Sequence, residues 1–234
     1  MKSLAICDIG RTRYADAWAL QKSLWELRKV GLVGDTLLLT EHAHVYTLGK
    51  GSDDNHLLAT EQELSRDGVE VFHIDRGGDV TYHGPGQIVG YPILDLNNYF
   101  LDIHRYLRSI EEAVILTLET FGIRAQREEE MTGVWVGSEK IAAIGVKVSR
   151  WITMHGFALN VNTDLQKFGR IIPCGIFHKG VTSMQKILGR EVDLKEVQEH
   201  LTRAFARVFG AELTSLEAES LHAKIASMEV NVHS

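Results

Sequence analysis

Proline and cysteine are scarce in this chain of 234 residues, which has three of the first and two of the second. Two cysteines, Cys7 and Cys174, cannot build the disulfide framework of a small secreted domain and point instead to a reducing compartment. No apolar run approaches the roughly 20 residues that cross a bilayer. Asp8 stands where the apolar region of a secretory leader would continue, so none is expected. Positive charge is not in excess either. Lys and Arg number 25 against 31 Asp and Glu, and the formal charge of -6 argues against nucleic acid as a main partner. Internal repeats and low-complexity linkers are also missing. What remains is 44% hydrophobic and 24% charged, enough to bury a substantial core. The expectation is a soluble cytoplasmic protein, one domain over residues 1–234, without membrane or nucleic-acid partners.

Five of the 21 glycines and two of the three prolines fall between Arg76 and Pro92, in Arg-Gly-Gly-Asp-Val-Thr-Tyr-His-Gly-Pro-Gly-Gln-Ile-Val-Gly-Tyr-Pro. Glycine permits positive φ and close backbone approach and proline fixes φ, so the first half reads as a tightly shaped loop. Arg76, Asp79, Thr81, Tyr82, His83 and Gln87 put hydrogen-bonding groups into it. Strand-like Val71–Ile74 leads in and Ile88–Tyr91 leads out. A polar loop shaped by glycine between buried strands is the usual build of a substrate cradle. A plain rigid turn needs neither the arginine nor the Tyr-His pair.

Around this centre the patterning alternates between periods. Strands are expected at Leu4–Asp8, Asp35–Thr40, Val45–Leu48, Gly133–Val136, Ile141–Val148 and Ile152–Asn160. The apolar run of Asp35–Thr40 predicts burial on both faces. Helices are expected from Thr12 or Arg13 to about Val30, from Asp102 to Phe121 and from Asp193 to about Phe209, each with apolar residues at helical spacing. Thr60 with Glu63 and Thr214 with Glu217 read as capping boxes opening further helices. Strands outnumber helices without strict alternation, which predicts an α/β fold of the α+β type, a large mixed sheet flanked by helices.

The chemistry must come from few residues. Cys174, between Pro173 and Gly175, sits at a constrained turn suited to an exposed thiol, whereas Cys7 lies in an apolar strand and reads as core. A thiol needs a partner to become a thiolate. The candidates are a lysine of the segment Lys140–Lys147, either Lys140, which opens an apolar strand, or Lys147, and the histidines His83, His155 and His178. On a regular strand Lys147 would face away from Lys140. From the residues alone a Cys-Lys and a Cys-His pair both stand. His42 and His44 alternate on a strand with no second pair at ligand spacing, so no metal site is expected.

Arg76–Gln87, Gly133–Val136, Lys140–Gly145, Thr153–Asn162 and Ile172–Ile176 together resemble the octanoyltransferases of lipoate biosynthesis, and Glu41-His42 to Leu48-Gly49 joins the match. The resemblance spans roughly residues 35 to 185. Two positions depart from the family pattern: Asp79 stands where glutamine is usual, and Ala43-His44 where two prolines are usual.

The resemblance implies the fold of biotin and lipoate protein ligases and an acyltransferase without cofactor. The octanoyl donor would be an acyl carrier protein. The acceptors would be lipoyl domains of 2-oxoacid dehydrogenase E2 subunits and the H protein of glycine cleavage. It implies a thioester on Cys174, with Lys140 lowering the thiol's pKa. The acyl-binding segments would be Arg76, Gly77, Gly78, Asp79, Val80, Thr81, Tyr82 and His83, then Ala143, Ile144 and Gly145, then Gly156, Phe157 and Ala158. Ala142 would join the tunnel wall, and N–H groups of the glycine-rich segments would hold the thioester oxyanion. Two rival readings are an ATP-dependent ligase on the same fold and a non-catalytic carrier-protein binder. Separately, Ile141–Arg190 holds seven basic residues and one acid, +6 in a chain of -6, which predicts a basic collar steering acidic carriers.

Overall fold

The computed structural model describes residues 2–172 and 180–232. In chain order the elements are β1 (Lys2–Thr12), α1 (Tyr14–Lys29), β2 (Asp35–His42), β3 (Val45–Leu48), α2 (Glu61–Arg66), β4 (Glu70–His73), β5 (Thr81–His83) and β6 (Gln87–Ile93). Then come α3 (Ile103–Thr120), β7 (Val134–Val136), β8 (Glu139–Ser149), β9 (Ile152–Asn160), α4 (Met184–Leu188), α5 (Leu194–Phe209), β10 (Ala211–Ser215) and α6 (Ala218–Val232). Among the described residues the strands form a seven-stranded mixed sheet in the order β10-β1-β2-β6-β9-β8-β7 and a three-stranded sheet in the order β4-β3-β5. The expected mixed sheet flanked by helices is therefore present.

Strand β2 is buried on both faces, as its apolar run predicts. Leu37 and Leu39 join the core under α3 and α5, while Leu38 joins the core under α1 and α6. The first of these cores is the larger and takes in Tyr106, Ile110 and Val114 of α3, Val197, Leu201 and Phe205 of α5, and Phe157 and Leu159 of β9. Phe157 stacks on Phe205 at a centroid distance of 5.4 Å, and Phe205 stacks in turn on Phe209. No helix among the described residues is long and apolar enough to cross a membrane.

The Thr60 capping box forms as the sequence predicts, with Thr60 and Glu63 bonded reciprocally. The second does not. Thr214 and Ser215 are drawn into β10, which pairs in parallel with β1 through Leu4↔Leu213 and Ala5↔Thr214, so α6 begins only at Ala218. A free sheet edge outbids a local cap because each added strand residue satisfies backbone groups as well as a side chain. Strand β5 also forms inside what the glycines predict as loop, pairing antiparallel with β3.

Phe205 ties α5 to the cavity-bearing strand through Phe157. Its replacement by alanine is expected to cost about 3–5 kcal/mol of stability, read as a lower urea midpoint at unchanged slope.

Candidate active site

A cavity of ≈ 610 Å³ lies against β6, β8 and β9, closed over by the Arg76–Thr81 segment, the first residue of α1 and the loop before β7. Its size is in the range that buries a small ligand. Its strand wall is made of small residues facing one another: Ala143 pairs with Ala158 and Gly145 with Gly156. Val89 and Phe157 add apolar surface, and Lys140, Ile144, Thr132 and Val181 also line it.

Strand β8 carries a bulge. Its register with β7 shifts between Val134↔Ala142 and Trp135↔Lys140, so β8 has one residue more than its partner. Ile141 and Ala142 consequently both turn into the α3-side core, fully buried. Ala142 is therefore no part of the cavity wall, and Lys140 swings to the face of Ala143 and Gly145. The regular-strand expectation that Lys140 and Lys147 face opposite ways fails for the same reason, since one extra residue inverts the alternation. What separates the lysines is distance along the strand and what each meets. The ammonium of Lys140 lies 4.7 Å from the Trp135 ring centroid and 3.5 Å from the Thr132 carbonyl oxygen. The ammonium of Lys147 pairs with Asp75 Oδ2 at 2.6 Å over the Trp25 ring.

The glycine-rich segment is bolted to the strands on both sides. Gly77 N–H donates to Val146 O at 2.9 Å, and the buried Arg76 guanidinium donates to Thr47 O at 2.7 Å and Thr47 Oγ1 at 3.0 Å. Val80 N–H donates to Asp79 Oδ1 at 2.6 Å. The N–H groups of Gly77 and Val80 are thus committed and do not serve as thioester oxyanion donors. Asp79 Oδ2 accepts from His56 Nδ1 at 2.6 Å, which is what the departure from glutamine does here. Thr81 and His83 face the cavity. Tyr82 between them faces away, because strand residues alternate sides. Its ring packs on Tyr46 and Phe168, and its hydroxyl meets His44 Nδ1 at 2.7 Å.

His42, His83 and His155 are buried in and beside the cavity. His83 Nδ1–H donates to Gln87 Oε1 at 2.8 Å, Gln87 to Asn160 at 2.9 Å, and Asn160 to Thr182 O at 3.0 Å. Burial pushes the His83 pKa down to about 3, the neighbouring His42 adding to the effect. His155, at positive φ of 59° in mid-strand, donates from Nε2 to Asp75 Oδ1 at 2.8 Å, and burial still takes its pKa down to about 4. His42, bonded to Tyr91 at 2.6 Å, is likewise lowered to about 4 by burial. A histidine so depressed is a weak proton acceptor for a thiol near neutral pH. No group of three or more His, Cys, Asp or Glu able to hold a metal ion occurs among the described residues.

Cys174 and His178 lie outside the described residues. The chain on either side of 173–179 is anchored. Ile172 N–H donates to His56 O at 2.8 Å, while Lys140 N–H donates to Gly180 O at 2.9 Å and Lys140 O accepts from Thr182 N at 3.0 Å. Cys7 is fully buried under α1 and α6, and burial pushes its thiol up to about 11.

A family model described as the lipoyl protein ligase A/B catalytic domain matches residues 13–206. The chain is 52% identical to an octanoyltransferase of Solibacter usitatus over 213 residues, 91% of this chain and 96% of that protein. It is 49% identical to an octanoyltransferase of Christiangramia forsetii over 229 residues, 91% of this chain and 98% of that protein. The chain belongs to the lipoyl protein ligase A/B family, with the octanoyltransferases. A solved archaeal lipoylation system from Thermoplasma acidophilum, a bi-partite lipoate protein ligase and its E2 lipoyl domain, shares the fold at a TM-score of 0.73. The identity there is 16%, over 97% of this chain and 92% of that one.

Sequence reasoning about this family member missed Tyr14, Tyr91, Leu107 and Met131, all of which line the cavity. None carries a local signal, since Tyr14, Tyr91 and Leu107 reach the site from elements whose sequence pattern speaks only of core or helix start, and Met131 from the loop before β7. The basic collar is also weaker than composition suggests. Lys147, Arg170 and Lys186 pair with Asp75, Asp67 and Glu139, all carboxylates outside the basic segment.

Three buried neutral histidines fix the sign of an acid response. Below pH 6.5 the unfolded chain binds protons that folded His42, His83 and His155 refuse until about pH 4 or lower. Stability is therefore full above 6.5 and falls with pH below it, by up to about 1.4 kcal/mol per pH unit for each histidine. Urea titrations between pH 6.5 and 4.5 check this, and a flat unfolding free energy across that window would contradict it.

Proposed function

We propose that this protein is an octanoyltransferase that moves an octanoyl group from an acyl carrier protein to a lysine of a lipoyl domain, through a thioester on Cys174. Lys140 acts as the base. In the first half-reaction Lys140 takes the Cys174 proton and the thiolate attacks the donor thioester. The carrier's thiolate then leaves and recovers the proton. In the second, Lys140 takes a proton from the incoming lysine ammonium, the amine attacks the acyl-enzyme, the Cys174 sulfur leaves with the proton the nitrogen sheds as the amide forms, and Lys140 releases its proton to solvent. Thioester exchange is nearly isoenergetic and amide formation from a thioester is downhill, so the sequence of steps needs no ATP. The acceptors are lipoyl domains of 2-oxoacid dehydrogenase E2 subunits and the H protein of glycine cleavage, in the cytoplasm.

The observation that carries this reading is the backbone pairing of Lys140 with Gly180 and Thr182, at the edge of a cavity walled by Ala143, Gly145 and Ala158. It ties the candidate base to the chain that directly follows Pro173–Lys179. The acyl-binding role extends to Arg76–Thr81, His83, Ile144, Gly156 and Phe157, which line the same cavity. Tyr82 supports it from behind. The depressed histidines favour Lys140 over His83 and His155 as the thiol's partner. The 52% and 49% identities to octanoyltransferases favour transfer over ATP-dependent ligation.

Mixing with octanoyl carrier protein and no ATP is expected to add one octanoyl mass, labile to hydroxylamine. Cys174→Ser should remove both adduct and turnover, while Cys7→Ala, at a buried thiol off the cavity, should stay near wild type. An adduct persisting in Cys174→Ser, or turnover that requires ATP, would overturn the reading.

A companion test separates the lysines. Lys140→Arg should lose most activity, since a guanidinium stays protonated. Lys147→Arg should change it little, because arginine can still pair with Asp75. Steady-state kcat for the two variants decides, and equal losses would contradict the assignment of Lys140.

A further inference from the structure

Glu111 is a carboxylate with no exposed side-chain surface, sitting in the middle of α3. A charge taken out of water is costly unless it is paired and hydrogen-bonded. Its Oε2 faces Arg108 Nη1 at 2.8 Å and Arg127 Nε at 3.2 Å, and its Oε1 accepts from Gly133 N–H at 3.0 Å. The two arginines are spent on the same loop. Arg108 donates to Glu129 O at 3.2 Å, and Arg127 donates to Arg108 O at 3.1 Å and pairs with Glu112. Glu111 thus clamps both ends of the stretch 127–133 onto α3.

That stretch is one wall of the cavity, contributing Glu130, Met131 and Thr132. It also bears on Lys140. A Cβ on Gly133 would meet Ala142 O at 2.9 Å and Lys140 Cε at 3.2 Å, so the bare backbone of Gly133 packs against the lysine's methylene arm. Thr132 O faces the ammonium at 3.5 Å, with the Trp135 ring on another side. Among the described residues, Glu130 of the loop and Arg76 line the same cavity as this lysine, and Glu139, next to it on β8, pairs with Lys186.

We propose that Glu111 is a positioning residue for the reaction, holding Gly133 and Thr132 so that they aim the Lys140 ammonium into the cavity. This rests on Lys140 being the base. Glu111 never touches substrate; it acts through one backbone N–H and the loop behind it.

The test reads the rate of iodoacetamide alkylation of Cys174 against pH, together with kcat and KM. Lys140→Ala sets the displaced end of the scale, towards a free thiol. Glu111→Leu, which removes the acceptor for Gly133, is expected to move the profile the same way and to lower kcat about 10- to 100-fold, with KM little changed. Glu111→Gln keeps a carbonyl oxygen for Gly133 and is expected to restore the wild-type profile while losing both ion pairs and some thermal stability. A purely structural role would lower the melting temperature of both variants and leave both profiles in place. A folded Glu111→Leu with a wild-type profile, beside a displaced Lys140→Ala, sinks the inference alone. An undisplaced Lys140→Ala sinks the base reading and the inference with it. Should Glu111→Leu not fold, Gly133→Ala presses directly on the Lys140 arm and is expected to displace the profile; an unchanged profile there overturns the inference equally.

Discussion

The cavity exists because one segment of backbone crosses another with nothing between them. At Gly145 a Cβ would lie 2.8 Å from Gly77 O and 2.9 Å from Arg76 Cδ, so the 76–78 segment can lie on β8 only where β8 has no side chain. The crossing is sealed by Gly77 N–H on Val146 O and by the Arg76 guanidinium on Thr47. It joins the three-stranded sheet to the seven-stranded one and leaves the space beside it walled by Ala143 and Ala158. Any larger residue at Gly145 would push the crossing apart and open the cavity to water.

Charge is managed around this space by pairing at the edge and neutrality inside. Asp75 sits at the margin. Burial pushes its carboxyl up, but hydrogen bonds from Lys147 and His155 more than offset this and bring it down to about 2. Farther in, His42 and His83 are kept neutral by desolvation and are oriented by amide, carbonyl and tyrosine partners. The line from His83 through Gln87 and Asn160 to Thr182 ends on the segment whose backbone pairs with Lys140. A polar network with its partners supplied gives a buried site one geometry, and this one fastens the cavity's far wall to its reactive edge.

Much of the architecture was legible because it rests on local periodicity. The strands expected at Val45–Leu48 and Ile152–Asn160 and the helical spacing of Tyr106, Ile110 and Val114 rest on residue types within one short stretch, and the observed strand bounds and helix agree. The Thr60 capping box is a contact within four residues and formed as read. The Thr214 box, equally good locally, lost to pairing with β1, a partner some two hundred residues away that no local pattern reveals.

The same division runs through the site. The sequence by itself determined the cradle of glycines, the residues that share it and the family, because each is a matter of residue type along one stretch of chain. Tertiary structure alone decided which of them face one another. One extra residue in β8 turned Lys140 towards Ala143 and Ala142 away, and strand alternation put Tyr82 behind the wall it had been expected to form. Burial, which no residue carries in its own identity, made the histidines poor bases and gave Glu111 its partners. Those outcomes depend on register and on distance from water, both set by contacts between segments far apart in the chain.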